Sequence, residues 1–173
     1  DYVKTQSPKS LSSLHIHLLD SYRKKCTNGW PSGPSDGYFF QHLTYHMTKA
    51  GFADDLTNTL LNFNWIQAKL EATNINALLS DYAFSRDNED VRLISKALRS
   101  SSTVLAVDKN QLPSQLYGRL MAHDSPNIKK MLSQIKNHKG EFWLRPLIPS
   151  LSNPGEPHLG NLGKHKSSVT RSE

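Results

Sequence analysis

The chain has 173 residues, enough for a single domain with a sizeable core. Hydrophobic residues make up 36%, which predicts an uncovered tail or a surface reserved for a partner, and the net charge is +6. The single cysteine, Cys26, excludes an internal disulfide and favours the cytoplasm. The sequence has no 18-residue apolar run and no apolar leader core, so we expect neither a membrane-spanning helix nor a secretory signal.

The positive charge is concentrated in the second half of the chain. Residues 11–87 carry six Lys/Arg and seven Asp/Glu, whereas residues 88–139 carry nine and four. A basic face attracts phosphates, so one alternative is a basic helical module that binds nucleic acid. That alternative requires one shared face for Arg92, Lys96, Arg99, Lys129, Lys130, Lys136 and Lys139. Solvated helix faces explain the same charges without a ligand, and we expect no nucleic-acid partner.

Three helices are predicted in the first 62 residues. The first occupies residues 10–26, and a stretch rich in Gly and Pro at 27–37 ends it. Asp36 is a suitable N-cap for the second helix and Gly51 a suitable stop, while Asp54 and Asp55 open the third. The apolar residues at helical spacing are Leu11, Leu14, Leu18 and Tyr22, then Phe39, Leu43, Met47 and Ala50, then Leu56, Leu60 and Leu61.

Residues 65–82, WIQAKLEATNINALLSDY, have dense apolar periodicity and contain neither proline nor glycine. We predict two short helices that are interrupted at Thr73-Asn74, where Asn74 caps the second. Their large apolar residues would fix one angle between them, since helices pack in only a few ways. The polar residues among them either contact neighbours and cap helix ends or only solvate the surface: Gln67, Lys69, Glu71 and Asn76.

Three more helices are predicted before residue 140. One follows residues 85–90, another runs from about Leu112 to Met121, and the last starts at Pro126. The residues expected to face inward are Val91, Ile94, Leu98 and Leu105 on the first, and Ile128, Leu132 and Ile135 on the last. The fold class is therefore all-α, a bundle or array of short helices with short loops.

After Gly140 the composition changes. Four of the nine prolines follow this residue, which predicts an irregular C-terminal strap rather than another helix. The first part of the strap carries apolar residues that we expect to attach it to the bundle: Phe142, Trp143, Leu144, Leu147 and Ile148.

A pair of histidines, His42 and His46, is spaced by four residues and could bind zinc from one helix face. A metalloprotease needs a glutamate after the first histidine, and Leu43 occupies that position. Further ligands would have to come from His15, His17 and Cys26. A weak alternative is thus a zinc-binding helical protein, but a hydrogen-bonded structural histidine pair is the favoured interpretation.

The sequence contains neither a phosphate-binding G-x-x-x-x-G-K-[ST] loop nor a G-x-S-x-G nucleophile elbow. Helix capping accounts for the carboxylates Asp54, Asp55, Asp81 and Asp87. We therefore expect no catalytic residue, no cofactor and no metal, and hence no enzyme.

Four segments resemble the helical domain of the apoptotic protease-activating factor type, in order and in spacing. They are DGYFFQHLTYHMTKAG (36–51), LLNFNWIQAKLEATNINALLSDY (60–82), LPSQLYGRLMAHDSPNIKKMLSQI (112–135) and WLRPLIPSL (143–151). The resemblance covers about residues 11–151, and residues 65–82 are its most specific part. It implies a non-enzymatic scaffold in a signalling NTPase, where a nucleotide-binding (NB-ARC) module precedes it and a WD40 propeller follows it.

The end of the chain resembles the start of a WD40 repeat. Leu159, Leu162, His165 and Val169 match the pattern L-x-x-L-x-G-H-x-x-x-V, but Lys164 replaces its glycine. A blade needs about 40 residues, so we expect only an incomplete repeat here. Because the sequence also begins without Met, we expect a fragment or a truncated gene product.

The expected organisation is a linker at 1–10, a helical domain at 11–150, and a linker with the incomplete WD40 start at 151–173. The expected partners are the adjacent nucleotide-binding and WD40 modules and other proteins, without a membrane. The structural anchors of the scaffold are predicted to be Phe39, Leu43, Trp65, Leu70, Leu78, Leu79 and Tyr82.

Overall fold

The computed structural model describes residues 8–85, 87–138 and 143–148. These residues form nine α-helices and no β-sheet, which confirms the all-α fold class. The helices are α1 Pro8–Arg23, α2 Phe39–Ala50, α3 Ala53–Leu60, α4 Phe63–Ala72, α5 Ile75–Asp81, α6 Glu89–Ser100, α7 Ser102–Val107, α8 Leu112–Leu120 and α9 Pro126–Lys136. Two 3-10 turns, Trp30–Ser32 and Lys109–Gln111, lie in the connections.

Gly51 ends α2 as predicted, whereas the N-cap position of α2 is Tyr38, two residues after the predicted Asp36. One carboxylate oxygen of Asp36 accepts hydrogen bonds from the backbone N–H groups of Tyr38 (3.0 Å) and Phe39 (2.7 Å). These bonds lower the pKa of Asp36. At the other end Gly51 has φ 80° and forms a left-handed C-cap, a conformation that costs glycine little.

The predicted break between α1 and α2 contains the 3-10 turn Trp30–Ser32, which packs on α4. Gly33 ends this turn against the buried ring of Phe39. A Cβ atom at position 33 would lie 2.0 Å from a ring carbon of Phe39, so only glycine fits this approach. The break is thus a close-packed connection.

The helices pack in sequence, and the last one returns to the middle of the chain. Helix α1 packs on α2, which contacts α3, α4 and α5; α5 leads to α6 and α7, α6 packs on α8, and α9 packs on both α8 and α4. One core runs through all of these contacts. The return of α9 to α4 closes the bundle and leaves α4 at its centre.

The predicted helix after residue 90 is two helices. Leu105 is fully buried as expected, but it belongs to α7, because the chain bends at Ser101. The Ser101 hydroxyl donates to the carbonyl of Ala97 (2.9 Å), a bond that bends helices, and it accepts from Arg119 Nε (3.0 Å). Neither glycine nor proline marks this bend in the sequence.

The apolar residues at helical spacing on α1 do not include its fully buried residue. Leu19 is its fully buried residue, whereas Leu14 is 59% exposed. On a helix of 3.6 residues per turn, five residues separate these side chains by about 140°. The predicted face, which includes Leu11 and Leu18, is only partly covered.

The prediction for the strap is also corrected. Trp143 contacts the ring of Tyr117, with centroids 5.7 Å apart, and is partly buried. Leu144, Leu147 and Ile148 are 85%, 81% and 70% exposed and do not attach the strap to the bundle. Phe142 lies outside the described residues, as do the incomplete WD40 start and Lys139.

Candidate interaction site

The segment 65–82 forms α4 and α5, which are joined at Thr73-Asn74 as predicted. The Thr73 hydroxyl donates to the carbonyl of Lys69 (2.5 Å), and the Asn74 side chain accepts from the backbone N–H of Ala77 (3.0 Å). Each side chain therefore satisfies a backbone group at a helix end. Both contacts are local, so the sequence of the junction itself favours a break between the two helices at this point.

The predicted anchors converge around α4. Trp65 is fully buried, and its ring lies 6.0 Å from that of Phe39 and 5.4 Å from that of Phe40. The Tyr82 hydroxyl donates to the carbonyl of Leu60 (3.0 Å). Leu43, Leu70 and Leu78 are buried, while Leu79 is partly buried against the same core. That these residues act as anchors of a rigid arm remains a prediction.

A buried ion pair joins α4 to α5 and was not predicted from the sequence. Lys69 Nζ lies 2.6 Å from both carboxylate oxygens of Asp81, and neither side chain is more than 2% exposed. The Thr44 hydroxyl of α2 donates to the same carboxylate (2.8 Å). Burial lowers the pKa of Lys69 and raises the pKa of Asp81, and their mutual attraction opposes both shifts. Three helices thus meet at one carboxylate.

For Lys69 this pair decides between the two alternatives, because the side chain contacts a neighbouring helix and does not solvate the surface. For Asp81 it corrects the sequence interpretation, because helix capping does not explain the buried carboxylate. The helical periodicity of α4 and α5 contains a signal that indicates this pair. Lys69 follows Ile66 by three residues, and Asp81 follows Leu78 by three, so each charge lies on an apolar helix face. A buried charge needs a partner, and the two opposite charges could have been matched.

The other polar residues of the segment contact neighbours in part. Gln67 Nε2 donates to Glu71 Oε1 (2.8 Å) and lies 3.1 Å from His138 Nε2, just beyond the end of α9. Lys109, which the sequence analysis missed, donates to the carbonyls of Glu71 (3.2 Å) and Thr73 (2.8 Å). It therefore stabilises the C-terminal end of α4, where carbonyls lack partners. Asn76 is exposed.

The structure brings together two of the predicted histidine ligands from different helices. His15 Nδ1 of α1 lies 2.6 Å from His46 Nδ1 of α2, and the Tyr38 hydroxyl lies 2.8 Å from His46 Nε2. His42 stacks on Tyr38 at a centroid distance of 4.4 Å. Burial lowers the pKa of His46, and the charges of His15 and His42 lower it further.

The remaining candidate ligands do not join this cluster. His17 Nδ1 bonds the carbonyl of Ser13 in its own helix (2.8 Å), and Cys26 packs against the core. In the part of the chain that the structure describes, no group of three or more His, Cys, Asp or Glu side chains is arranged to hold a metal ion. The zinc alternative requires a third ligand, which these residues do not provide.

The basic residues of the second half are interleaved with carboxylates. An open depression beside α6 is lined by Arg92 and Lys96 together with Glu89, Asp90 and Asp124. Arg92 pairs with Glu89 (3.5 Å), and Lys129 of α9 pairs with Asp124 (2.5 Å). At the other end of α9, Lys136 lies over the ring of Tyr117. These contacts do not favour the continuous basic face that nucleic-acid binding requires.

Comparison with known proteins assigns the chain to a family. A family model, the APAF-1 helical domain, matches residues 11–109, more than half of the chain. The chain belongs to this family. The match runs from α1 to the 3-10 turn that begins at Lys109, so it contains the Lys69–Asp81 pair and the His15–His46 contact. Helices α8 and α9 lie outside the matched range but pack against it.

One curated relative adds to this assignment. The chain is 25% identical over 100 residues to apoptotic protease-activating factor 1 of zebrafish, Danio rerio. The aligned part covers 54% of this chain and 8% of that protein, so the chain spans only a small part of the relative's length. No solved structure matches the chain. No helix among the described residues has the length and apolar character needed to cross a bilayer.

Proposed function

We propose that the chain is a non-enzymatic helical scaffold of a cytoplasmic signalling NTPase, which joins a nucleotide-binding switch module to a WD40 sensor propeller. Membership of the APAF-1 helical domain family supports this role, as does the name of the zebrafish relative. The observation that carries it is the buried Lys69–Asp81–Thr44 contact, since a fixed junction of α2, α4 and α5 suits a rigid arm.

In this proposal the parts of the chain have different roles. Residues 1–10 connect to the preceding module, residues 11–150 form the arm, and residues 151–173 lead into the following module. The exposed apolar residues of the described part, such as Leu14, Leu144 and Leu147, suit contacts with these neighbours. The partners are therefore the adjacent modules of the parent protein and other proteins.

Hydrogen exchange tests this role on the 173-residue chain and on a longer protein that contains the flanking modules. We expect α4 and α5 to be protected in both, because their amides belong to the shared core. A separate surface should gain protection only in the longer protein. If protection is the same everywhere in both proteins, the helices serve only their own core and the scaffold proposal is wrong.

Nucleotide binding provides a second test. The sequence lacks a phosphate-binding loop, so calorimetric titration of the chain with ATP or ADP should give no specific heat of binding. A dissociation constant near the micromolar range would show that the chain has a nucleotide site of its own. It would then be more than a scaffold.

A further inference from the structure

Helix α1 has two apolar faces, and the described residues of the chain cover only one of them. The covered face carries His15 and Leu19 against α2. The second face is formed by Leu11, Leu14 and Leu18, which we call the outer stripe. Leu14 is 59% exposed, and Leu11 and Leu18 are each only partly buried. Their spacing of three and four residues is the spacing by which one helix contacts another.

The outer stripe continues into a shallow depression of about 310 Å³ at the C-terminal half of α1. Its lining residues are His17, Leu18, Ser21, Tyr22 and Lys25. The Lys25 ammonium lies over the Tyr22 ring, 5.4 Å from its centroid, so a positive charge borders the apolar floor. A side chain from a partner helix would fit such a depression beside the leucines.

The charge at the C-terminal end of the outer stripe is positive. Lys24 and Lys25 are both exposed just beyond the end of α1, but only Lys25, seven residues after Leu18, lies on the side of the stripe, whereas Lys24 lies about 120° away from Leu18. Asp20 is the sole carboxylate in the sequence of α1, and two residues separate it from Leu18, which on a helix corresponds to about 200°. The Asp36 carboxylate is already engaged: it accepts from the Tyr22 hydroxyl (2.9 Å) and from the backbone N–H groups at the start of α2.

We propose that the outer stripe of α1 binds an acidic amphipathic helix. The leucines would contact apolar side chains spaced by three, four and seven residues, and a carboxylate of the partner would lie beside Lys25. Charge complementarity selects this occupant over a second copy of the chain, because α1 offers no carboxylate on the same face. If the partner helix belongs to a neighbouring module, that assignment rests on the proposed function. The expectation that the helix is acidic and amphipathic does not depend on it.

The probe is a fluorescein-labelled synthetic helix of about 20 residues, long enough to fold, with leucines on one face and glutamates beside them. A twin peptide carries lysines in place of the glutamates. Fluorescence anisotropy with the 173-residue chain should show saturable binding of the glutamate peptide. The double variant Leu14→Glu, Leu18→Glu should weaken this binding by roughly tenfold or more.

Two further variants test whether binding depends on the position of the leucines and on the positive charge beside them. Val107→Glu adds a charge at another exposed apolar residue, 88% exposed on α7, and should leave binding unchanged. The variant Lys25→Glu leaves the leucines intact; it should weaken binding of the glutamate peptide and strengthen binding of the lysine twin. Far-UV circular dichroism of every variant should match that of the parent chain, because all the changed residues are at least partly exposed.

Several outcomes would overturn the proposal. No binding of the glutamate peptide would do so, as would equal binding of both peptides or an equal loss in the Val107→Glu variant. Self-association of the chain in sedimentation equilibrium, abolished by Leu14→Glu, would show that a second copy occupies the stripe instead. The scaffold proposal is judged separately, since its hydrogen-exchange test uses the longer protein and follows all surfaces.

Discussion

Helices α1 and α4 are both amphipathic, yet they are held by different kinds of polar contact. Helix α4 lies at the centre of the bundle, and its Lys69–Asp81 pair is withdrawn from water. Helix α1 lies on one side of α2, and its polar contact is the partly buried ring pair His15–His46. A buried ion pair penalises every arrangement that separates its charges, whereas imidazoles near the surface can exchange a partner for water. The two contacts should therefore respond very differently to perturbation.

The largest effect is expected from removing one partner of the buried ion pair. Asp81→Ala leaves the Lys69 ammonium buried without a counter-charge, which should lower the free energy of unfolding by about 3–5 kcal/mol. Urea denaturation followed by circular dichroism measures the change. The double variant Lys69→Met, Asp81→Leu should recover much of the loss, because it removes both charges and fills similar volume.

An exposed pair provides the matched control. Arg23 and Asp55 form a hydrogen-bonded ion pair (2.7 Å), but their side chains are 54% and 46% exposed. Asp55→Ala should change the free energy of unfolding by less than about 1 kcal/mol. Equal losses for Asp81→Ala and Asp55→Ala would show that the Lys69–Asp81 contact is not what fixes α4 to α5.

The second-largest change in stability is expected from shortening a buried leucine of α5, and an exposed leucine of α1 provides the comparison. Leu78 of α5 is fully buried, so Leu78→Ala should cost about 2–5 kcal/mol through lost burial and a residual cavity. Leu14→Ala on α1 removes the same atoms from an exposed position and should shift the urea midpoint little. If Leu78→Ala leaves the midpoint unchanged, then Leu78 is not a core residue.

The sequence predicts most of this fold, because most of its helices have one apolar face and clear ends. The start of α9 at Pro126, the backbone hydrogen bonds of Asp36 and the stop at Gly51 all follow from local chemistry that needs no tertiary information. The junction at Thr73-Asn74 is of the same kind. These features depend on residues within a turn or two of one another.

The errors arise where long-range contacts decide the outcome. At the bend, Ser101 combines its local bond to the carbonyl of Ala97 with a bond from Arg119, 18 residues away, and neither glycine nor proline marks the bend in the sequence. For α1, periodicity identified an apolar face but could not choose between that face and the one with Leu19, because both are apolar. The Lys69–Asp81 pair was missed because periodicity arguments count apolar residues and overlook a charge within an apolar face.

The candidate site likewise combines features that local sequence predicts with features that depend on long-range contacts. The burial of Trp65 and Leu78 follows from their helix faces, whereas the meeting of His15 with His46 requires the crossing of α1 and α2. Spacing alone suggested that His42 and His46 act as a pair. The structure instead bonds His46 to a residue 31 positions earlier.

The smallest expected effect is a pH dependence that originates at the His15–His46 contact. When Tyr38 donates to His46 Nε2, His46 Nδ1–H can donate to His15 Nδ1, and both rings are neutral. The other titratable or charged groups near the pair are His42 and Tyr45, with Lys49 over the Tyr45 ring. Protonating His46 adds a proton at Nε2, so this nitrogen can no longer accept from the Tyr38 hydroxyl.

The sign of the dependence follows from the lowered pKa of His46. Its ordinary value is 6.5, and in the folded chain burial first, then the charges of His15 and His42, lower the pKa. At a pH between the two values the unfolded chain binds more protons than the folded one, so stability rises with pH in this window. The contribution is complete above about 6.5 and is lost as the pH falls toward the lowered pKa.

Urea midpoints measured from about pH 5 to 8 test this behaviour, and NMR titration of the histidine rings assigns it. His46→Gln should flatten the pH dependence while keeping a polar side chain at that position. His17→Gln is the control, because His17 is exposed on the same helix as His15 and bonds only within it. Loss of stability should begin with weaker protection of α1 amides, while α4 and α5 keep theirs, since the His15–His46 contact joins α1 to α2. A His46 ring that titrates at its ordinary pKa, or a slope that survives in His46→Gln, would contradict the assignment and remove the contrast between the two contacts.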